Sequence, residues 1–287
     1  NGDGMTDVFL AGRSSTAARR LQAMGLGRDA FEEHNRHRTG MSAGNKLLLN
    51  EGRFLNPTTS PALARTGWSS GCMAMDFDND GDADLFVASG HRTQKGKPNH
   101  DSTFWRHSIY SGSSEKNPAL MILHEQNEAA RQSWAGNKHN AFFLNEGKGA
   151  FVETGFLMGL GQSFDSRSTV SADINGDGRL DLIVAEQLPA GITLHVLRNA
   201  AKQTGHWVGV RLRGRCMGAQ VTVRYDGEAV TRQIISGDSF RAQQPATLHF
   251  GLGDFSKIKS IQARWPGGGI TRLENPPVDQ LHELRPE

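Results

Sequence analysis

Residues 75–89 read MDFDNDGDADLFVAS. Aspartates stand at 76, 78, 80, 82 and 84, and the chain then turns apolar with no transition. Carboxylates this close repel one another, so the stretch calls for something that neutralises them. Alternate residues of a tight loop can turn short oxygen side chains toward one centre, and Gly81, sixth in the loop, permits the bend. The exit, LFVA, has the length and composition of a buried strand.

The pattern recurs in DINGDGRLDLIVAEQ (173–187) and, without its first position, in NGDGMTDVFLAG (1–12). Counting from the first acidic residue, side-chain oxygens fall at positions 1, 3, 5 and 9. These are Asp76, Asp78, Asp80 and Asp84 in one copy and Asp173, Asn175, Asp177 and Asp181 in another. The partial copy supplies Asn1, Asp3 and Asp7 at positions 3, 5 and 9. Position 7 holds Asp82, Arg179 or Met5, a variety that suits a backbone carbonyl ligand and no required side chain. Such a donor set matches Ca2+, which takes about six to eight oxygens, better than Mg2+, which demands a rigid octahedron and keeps its waters. A helix-flanked calcium hand needs Glu at position 12, where this chain has Val87 and Val184. Asp, Asn and Gly are also ordinary turn formers. Identical spacing and the same exit into a strand argue for more than turn chemistry. A site repeated in successive units suits structure better than catalysis.

A second element alternates with the first. NKLLLNEGRFLNPT (45–58) and NAFFLNEGKGAFVET (140–154) each read as two strands around an Asn-Glu-Gly turn, and ITLHVLRN (192–199) is a partial echo. Units of about four short strands, each with its acidic loop, read as propeller blades. Two insertions, 16–38 and 91–137, interrupt them. Each is expected to carry a helix, the second over Pro118–Trp134. Beyond Asn199 the acidic repeat stops and strands follow at close spacing, with a hairpin turn at Asp226-Gly227. The expected fold is all-β: partial propeller blades over 1–200, the first of them begun in mid-pattern at Asn1, and a small β-sandwich-like domain over 205–287.

Composition narrows the function classes. The 287 residues carry a net charge of +2, no basic run interleaved with aromatics and no apolar run of membrane-spanning length, so neither a nucleic-acid partner nor a membrane span is expected. Cys72 and Cys216 are either one disulfide or two buried thiols. His34 and His37 are spaced for a helix face but have no third ligand nearby, and HEQNE (124–128) lacks the second His of a zinc-protease helix. No Gly-rich stretch sits between a strand and a helix as a phosphate loop must. Trp68, Trp105 and Trp134 are either core residues or a sugar-stacking surface.

The motif DxDxDGxxDLxV of 76–87, with the LLLNEGRF hairpin, resembles the FG-GAP/VCBS repeats of calcium-bearing β-propellers such as integrin α-chains. The later segments HWVGVRLRG, GAQVTV, FGLGD, ARWPGG and LENPP are similar to the ASPIC/UnbV domain, which follows such repeats in secreted bacterial proteins and in vertebrate cartilage acidic proteins. In RGRCMGAQ (213–220) the chain departs from that domain, being shorter there and carrying Cys216. The resemblance implies Ca2+ as the bound ion and a secreted, extracellular or cell-surface location. It also implies a non-enzymatic adhesion, matrix or assembly module with a protein or glycan partner, or self-assembly. A lectin-like module and a polysaccharide-active enzyme on a propeller scaffold are the alternatives.

Overall fold

The computed structural model describes residues 3, 5–27, 32–55, 60–110, 118, 119, 122, 126, 132–202 and 204–286. The elements run β1 (Val8–Leu10), α1 (Thr16–Ala23), α2 (Glu32–Met41), β2 (Lys46–Asn50), β3 (Phe54–Leu55), α3 (Pro61–Ala64), β4 (Ser69–Met75) and β5 (Asp84–Ser89). They continue α4 (Asp101–Tyr110), β6 (Ala141–Asn145), β7 (Phe151–Glu153), β8 (Ser166–Ala172), β9 (Asp181–Leu188) and β10 (Gly191–Leu197). The last seven strands are β11 (His206–Leu212), β12 (Gln220–Tyr225), β13 (Glu228–Gln233), β14 (Thr247–Gly253), β15 (Ser260–Arg264), β16 (Ile270–Glu274) and β17 (Gln280–Leu284).

The first ten strands form three sheets, in the orders β1-β2-β3, β4-β5-β6-β7 and β10-β9-β8. Each contains one strand that leaves an acidic loop: β1, β5 or β9. Both expected hairpins form, as β2–β3 and β6–β7, and the ITLHVLRN echo is β10, antiparallel to β9. None of the sheets closes on itself, as partial propeller blades require.

The middle sheet explains why LFVA is apolar throughout. Every residue of β5 is buried, because both its faces are covered. Leu85 and Val87 pack with Phe143, Phe9 and Leu47 toward the first sheet. Phe86 and Ala88 pack with Phe142, Leu182 and Val184 toward the third. A strand buried on both sides reads as a continuous apolar run instead of an alternating one. The third sheet differs. Its far face leaves Ile192, Leu194 and Val196 60–68% exposed.

The C-terminal strands form two facing sheets, β14-β11-β17 and β13-β12-β15-β16, around a core that includes Val208, Val210, Val221, Val223, Phe250, Ile261 and Trp265. This is the sandwich-like domain the sequence suggests. The β12–β13 turn places Asp226 and Gly227 at φ 36° and 87°, the left-handed pair that two-residue hairpins favour.

The insertions are tied down. The first carries α1 and α2. In the second, the expected helix over Pro118–Trp134 falls mostly outside the described residues. Its last two, Ser133 and Trp134, form β-bridges with Asn99 and Arg92, so helix does not continue there. Residues 118, 119, 122 and 126, which are described, are helical as expected, and α4 is a further helix of the same insertion. Trp68 stacks on His91 at 4.1 Å, Trp134 meets both edge-on, and Arg13 lies 4.3 Å over Trp68 while its guanidinium pairs with Asp101 of α4. Trp105 is 3% exposed and donates to Asp101. Trp105 is a packing residue, while Trp68 and Trp134 are half-buried members of a ring cluster with His91. Cys72 and Cys216 are both free thiols. No helix among the described residues is long and apolar enough to cross a membrane.

Candidate metal centre

The loop joining β4 to β5 turns within eight residues, from Met75 to its cross-strand partner Asp84. Asn79 at φ 62° and Gly81 at φ 100° supply the left-handed backbone it needs. The turn folds three carboxylates together. Ligand oxygens of Asp76, Asp78 and Asp80 all lie within 4.8 Å of one another. Asp76 is fully buried; its Oδ2 accepts the N–H groups of Gly81 at 3.1 Å and Gly251 at 3.0 Å. Its Oδ1, and Oδ1 of Asp78, are buried with no hydrogen-bond donor in reach among the described residues.

That arrangement is costly without a cation. Burial pushes the Asp76 carboxyl up to about 7, against the pull of the Arg232 guanidinium, and the Asp80 and Asp78 charges push the same way as burial. Asp80 is raised as well, again by burial first. Buried polar atoms almost always find partners, so two orphaned oxygens on clustered carboxylates need an explanation. An all-carboxylate oxygen set around them fits a hard divalent cation such as Ca2+.

Position 9 has a different place in the structure. The two oxygens of Asp84 accept the N–H of Phe77 and of Asn145, each at 2.8 Å, and Asp84 is not among the three clustered carboxylates. Asp181 repeats this with Ile174 at 3.1 Å and Asn199 at 2.8 Å. Asp7 accepts from Asn50 at 2.8 Å. Each position-9 carboxylate therefore clamps its strand to the end of the next strand in its sheet, and in the two complete loops it also closes the loop entrance. The sequence reading turned these carboxylates toward the cation; the structure gives the oxygens of Asp84 and Asp181 to backbone donors.

Position 7 is uniform in its backbone and not in its side chain. The N–H groups of Met5, Asp82 and Arg179 donate to Oδ1 of Asp3, Asp80 and Asp177 at 2.8, 2.8 and 3.1 Å. The Met5 and Asp82 side chains take no place in the carboxylate cluster. The Arg179 side chain, read from sequence as free to vary, pairs with the Asp177 carboxylate and donates to the Asn199 carbonyl. The 173–181 loop thus carries its own counter-ion. Asp173 accepts from Gly176, Asp177 and Gly178, and Asn175 donates to Asp177 at 2.8 Å. Its oxygens are largely satisfied within the loop. Of the partial copy, Asn1 lies outside the described residues.

Residues that sequence reasoning passed over complete the picture. Asn50, Asn145 and Asn199 each follow the last apolar residue of a strand or stand two beyond it, and donate a backbone N–H to the position-9 carboxylate; the recurrence of Leu-Asn before the turns at 50 and 145 was the available signal. Asn79, between two loop carboxylates, is fully buried. It donates to the Gly178 carbonyl of the 173–181 loop at 3.0 Å and meets His249 Nε2 of β14 at 2.7 Å. Burial holds that imidazole down at about 3, so it is neutral at physiological pH. Of the other histidines considered, His37 is exposed beside Glu33, and the His34 side chain and all of HEQNE except Gln126 lie outside the described residues.

Comparison with protein families finds two matches. The model described as FG-GAP-like repeat matches residues 1–87 and 133–184. The model described as ASPIC and UnbV matches residues 209–287. Comparison with curated protein sequences gives no match.

Proposed function

From the membership of this chain among proteins of FG-GAP-like repeats ending in an ASPIC and UnbV domain, which marks it as an extracellular-type repeat protein, we propose that it is a calcium-stabilised, non-enzymatic module for adhesion, matrix or assembly. The observation that carries the calcium reading is the Asp76–Asp78–Asp80 cluster with its two buried, donorless oxygens. Asp76, Asp78 and Asp80 hold the ion; its charge offsets their mutual repulsion and ties the start of the β5 blade strand to the preceding loop. Asp84 then acts beside the ion as a backbone clamp.

The non-enzymatic reading is supported by how the charged groups are used. A cleft of about 1360 Å3 lies between β1, β4, the end of β8 and the C-terminal domain, lined in part by Asp173, Arg211 and Arg232. Asp173 is held by loop N–H groups, Arg211 by Thr247 and Arg232 by Asp76 and the Phe250 ring. These three groups hold structure together, whereas Asp238 of the same cleft has an Oδ1 buried with no donor among the described residues. Trp105 is buried and offers no stacking face, whereas Trp68 and Trp134 are half-buried, so a glycan partner stays the alternative to a protein partner or self-assembly.

The test is a thermal melt in calcium and in chelator. For an extracellular-type site with Kd of about 0.1–1 mM, 5 mM calcium stabilises by about 1–2 kcal/mol, or about 5 °C in a chain of this size. Identical melting in 5 mM calcium and in EGTA would falsify the reading.

A further inference from the structure

The acidic loop at 76–84 faces the C-terminal domain directly. Asp76 Oδ2, on the same carboxylate whose Oδ1 is buried without a donor, accepts the N–H of Gly251 in β14. The next contacts come from the stretch between the clustered carboxylates. The Asp78 carbonyl accepts the N–H of Gly205 at 2.9 Å, and the Asn79 carbonyl accepts the N–H of Gly253 at 2.8 Å. The Asn79 side chain takes His249, and Arg232 of β13 stands 3.9 Å from Asp76. The fit leaves no slack. A Cβ at Gly251 would lie 2.1 Å from Asp76 Oδ2 and 2.6 Å from Asn79 Cα, and one at Gly205 would lie 2.4 Å from the Asn79 carbonyl oxygen. Trp207 of β11 covers Gly178 of the other acidic loop just as closely.

We propose that the divalent-cation loop is the latch between the repeat sheets and the C-terminal domain, so that ion binding and domain docking strengthen each other. The inference rests on the calcium reading of the Asp76 cluster and adds a consequence to it. The backbone of residues 78 and 79 cannot move without moving both the flanking carboxylates and the acceptors for Gly205 and Gly253. Without a cation, repulsion among three carboxylates spreads the loop and weakens those acceptors. With the C-terminal domain docked, the Gly251 N–H holds one oxygen of Asp76 and leaves the other without a donor and available to an ion. Coupling between binding equilibria is reciprocal by thermodynamic necessity.

Two measurements on the 287-residue chain test this. In wild-type protein, hydrogen–deuterium exchange in calcium and in EGTA reads the seam directly. Chelation is expected to speed exchange at Gly205, Gly251 and Gly253 at least tenfold while Val221 and Val223, in the interior of the C-terminal sandwich, stay unchanged. Second, calcium titration of Gly251→Ala, which replaces no ion ligand but drives the β14 backbone away from Asp76, is expected to give at least tenfold weaker affinity. His249→Ala, which removes the Asn79 contact without forcing backbone apart, weakens it in the same direction and guards against simple misfolding of the glycine variant. Calcium binding to wild type with unchanged exchange at the three glycines, or unaltered affinity in a folded His249→Ala, overturns the latch and leaves the metal centre standing. No calcium binding to wild type at all overturns both.

Discussion

Asp84→Ala is expected to lower stability by about 2–4 kcal/mol, and by the same amount in calcium and in EGTA. The side chain is 1% exposed and gives both oxygens to backbone N–H groups, Phe77 at the loop entrance and Asn145 at the end of β6. Alanine leaves two buried donors unpaired, each costing about 1–3 kcal/mol. Part of that loss is offset, because burial has already raised the Asp84 carboxyl to about 7 and its charge is expensive to keep. In melting temperature the deficit is about 10 °C. Asp78→Ala should behave in the opposite manner: it removes an ion ligand and one source of repulsion, so it destabilises only when calcium is present. Paired melts of the two variants, each with and without chelator, separate a clamp from a ligand. Asp84→Ala costing stability only in calcium would return Asp84 to the ion.

The second large effect is pH dependence. Metal-free Asp76 titrates at about 7 in the fold, against an ordinary 3.8. The folded chain therefore holds this proton more tightly than the unfolded chain does. Stability from the protonated form is present in full below about pH 4 and is lost as pH rises to about 7, a change of about 4 kcal/mol for this group. Calcium binds the deprotonated loop, so protons compete with it. With one proton displaced at a pKa of about 7, calcium affinity should fall about 100-fold between pH 8 and pH 5. Calorimetric titrations at the two pH values check this, and equal affinities would remove Asp76 from the site. Stabilisation by calcium is accordingly greatest above pH 7, where the metal-free fold is weakest.

Much of this was legible in the sequence because local rules carried it. The DxDxDG spacing, the LFVA exit and the two NEG hairpins are periodic features of short range, and the structure places a loop, a doubly buried strand and two hairpins where they occur. The position-9 carboxylates were legible as important, but their bonds to backbone donors were not. Side-chain chemistry alone cannot distinguish an oxygen aimed at an ion from one aimed at the N–H of Asn145, 61 residues away. Arg179 was opaque for a similar reason: tolerance at a position does not reveal that the side chain neutralises Asp177. The seam at Gly205, Asn79 and Gly251 was hidden altogether. Its glycines are there because backbone meets backbone across more than 100 residues of sequence, and a glycine in FGLGD looks from sequence like any turn. The helix expected over 118–134 is present at its described residues 118, 119, 122 and 126, and overshoots only at its end, where Ser133 and Trp134 bridge to the start of the same insertion.

The central claim is that a divalent cation sits among Asp76, Asp78 and Asp80. Crystals grown or soaked in calcium, or in a lanthanide substitute, with anomalous diffraction recorded, test it most directly. The account predicts a peak bounded by those three carboxylates, stronger than any at the 173–181 loop, where Arg179 already answers Asp177. A peak at Asp173–Asp181 with none at Asp76–Asp80, or none at either loop at saturating ion, would contradict it.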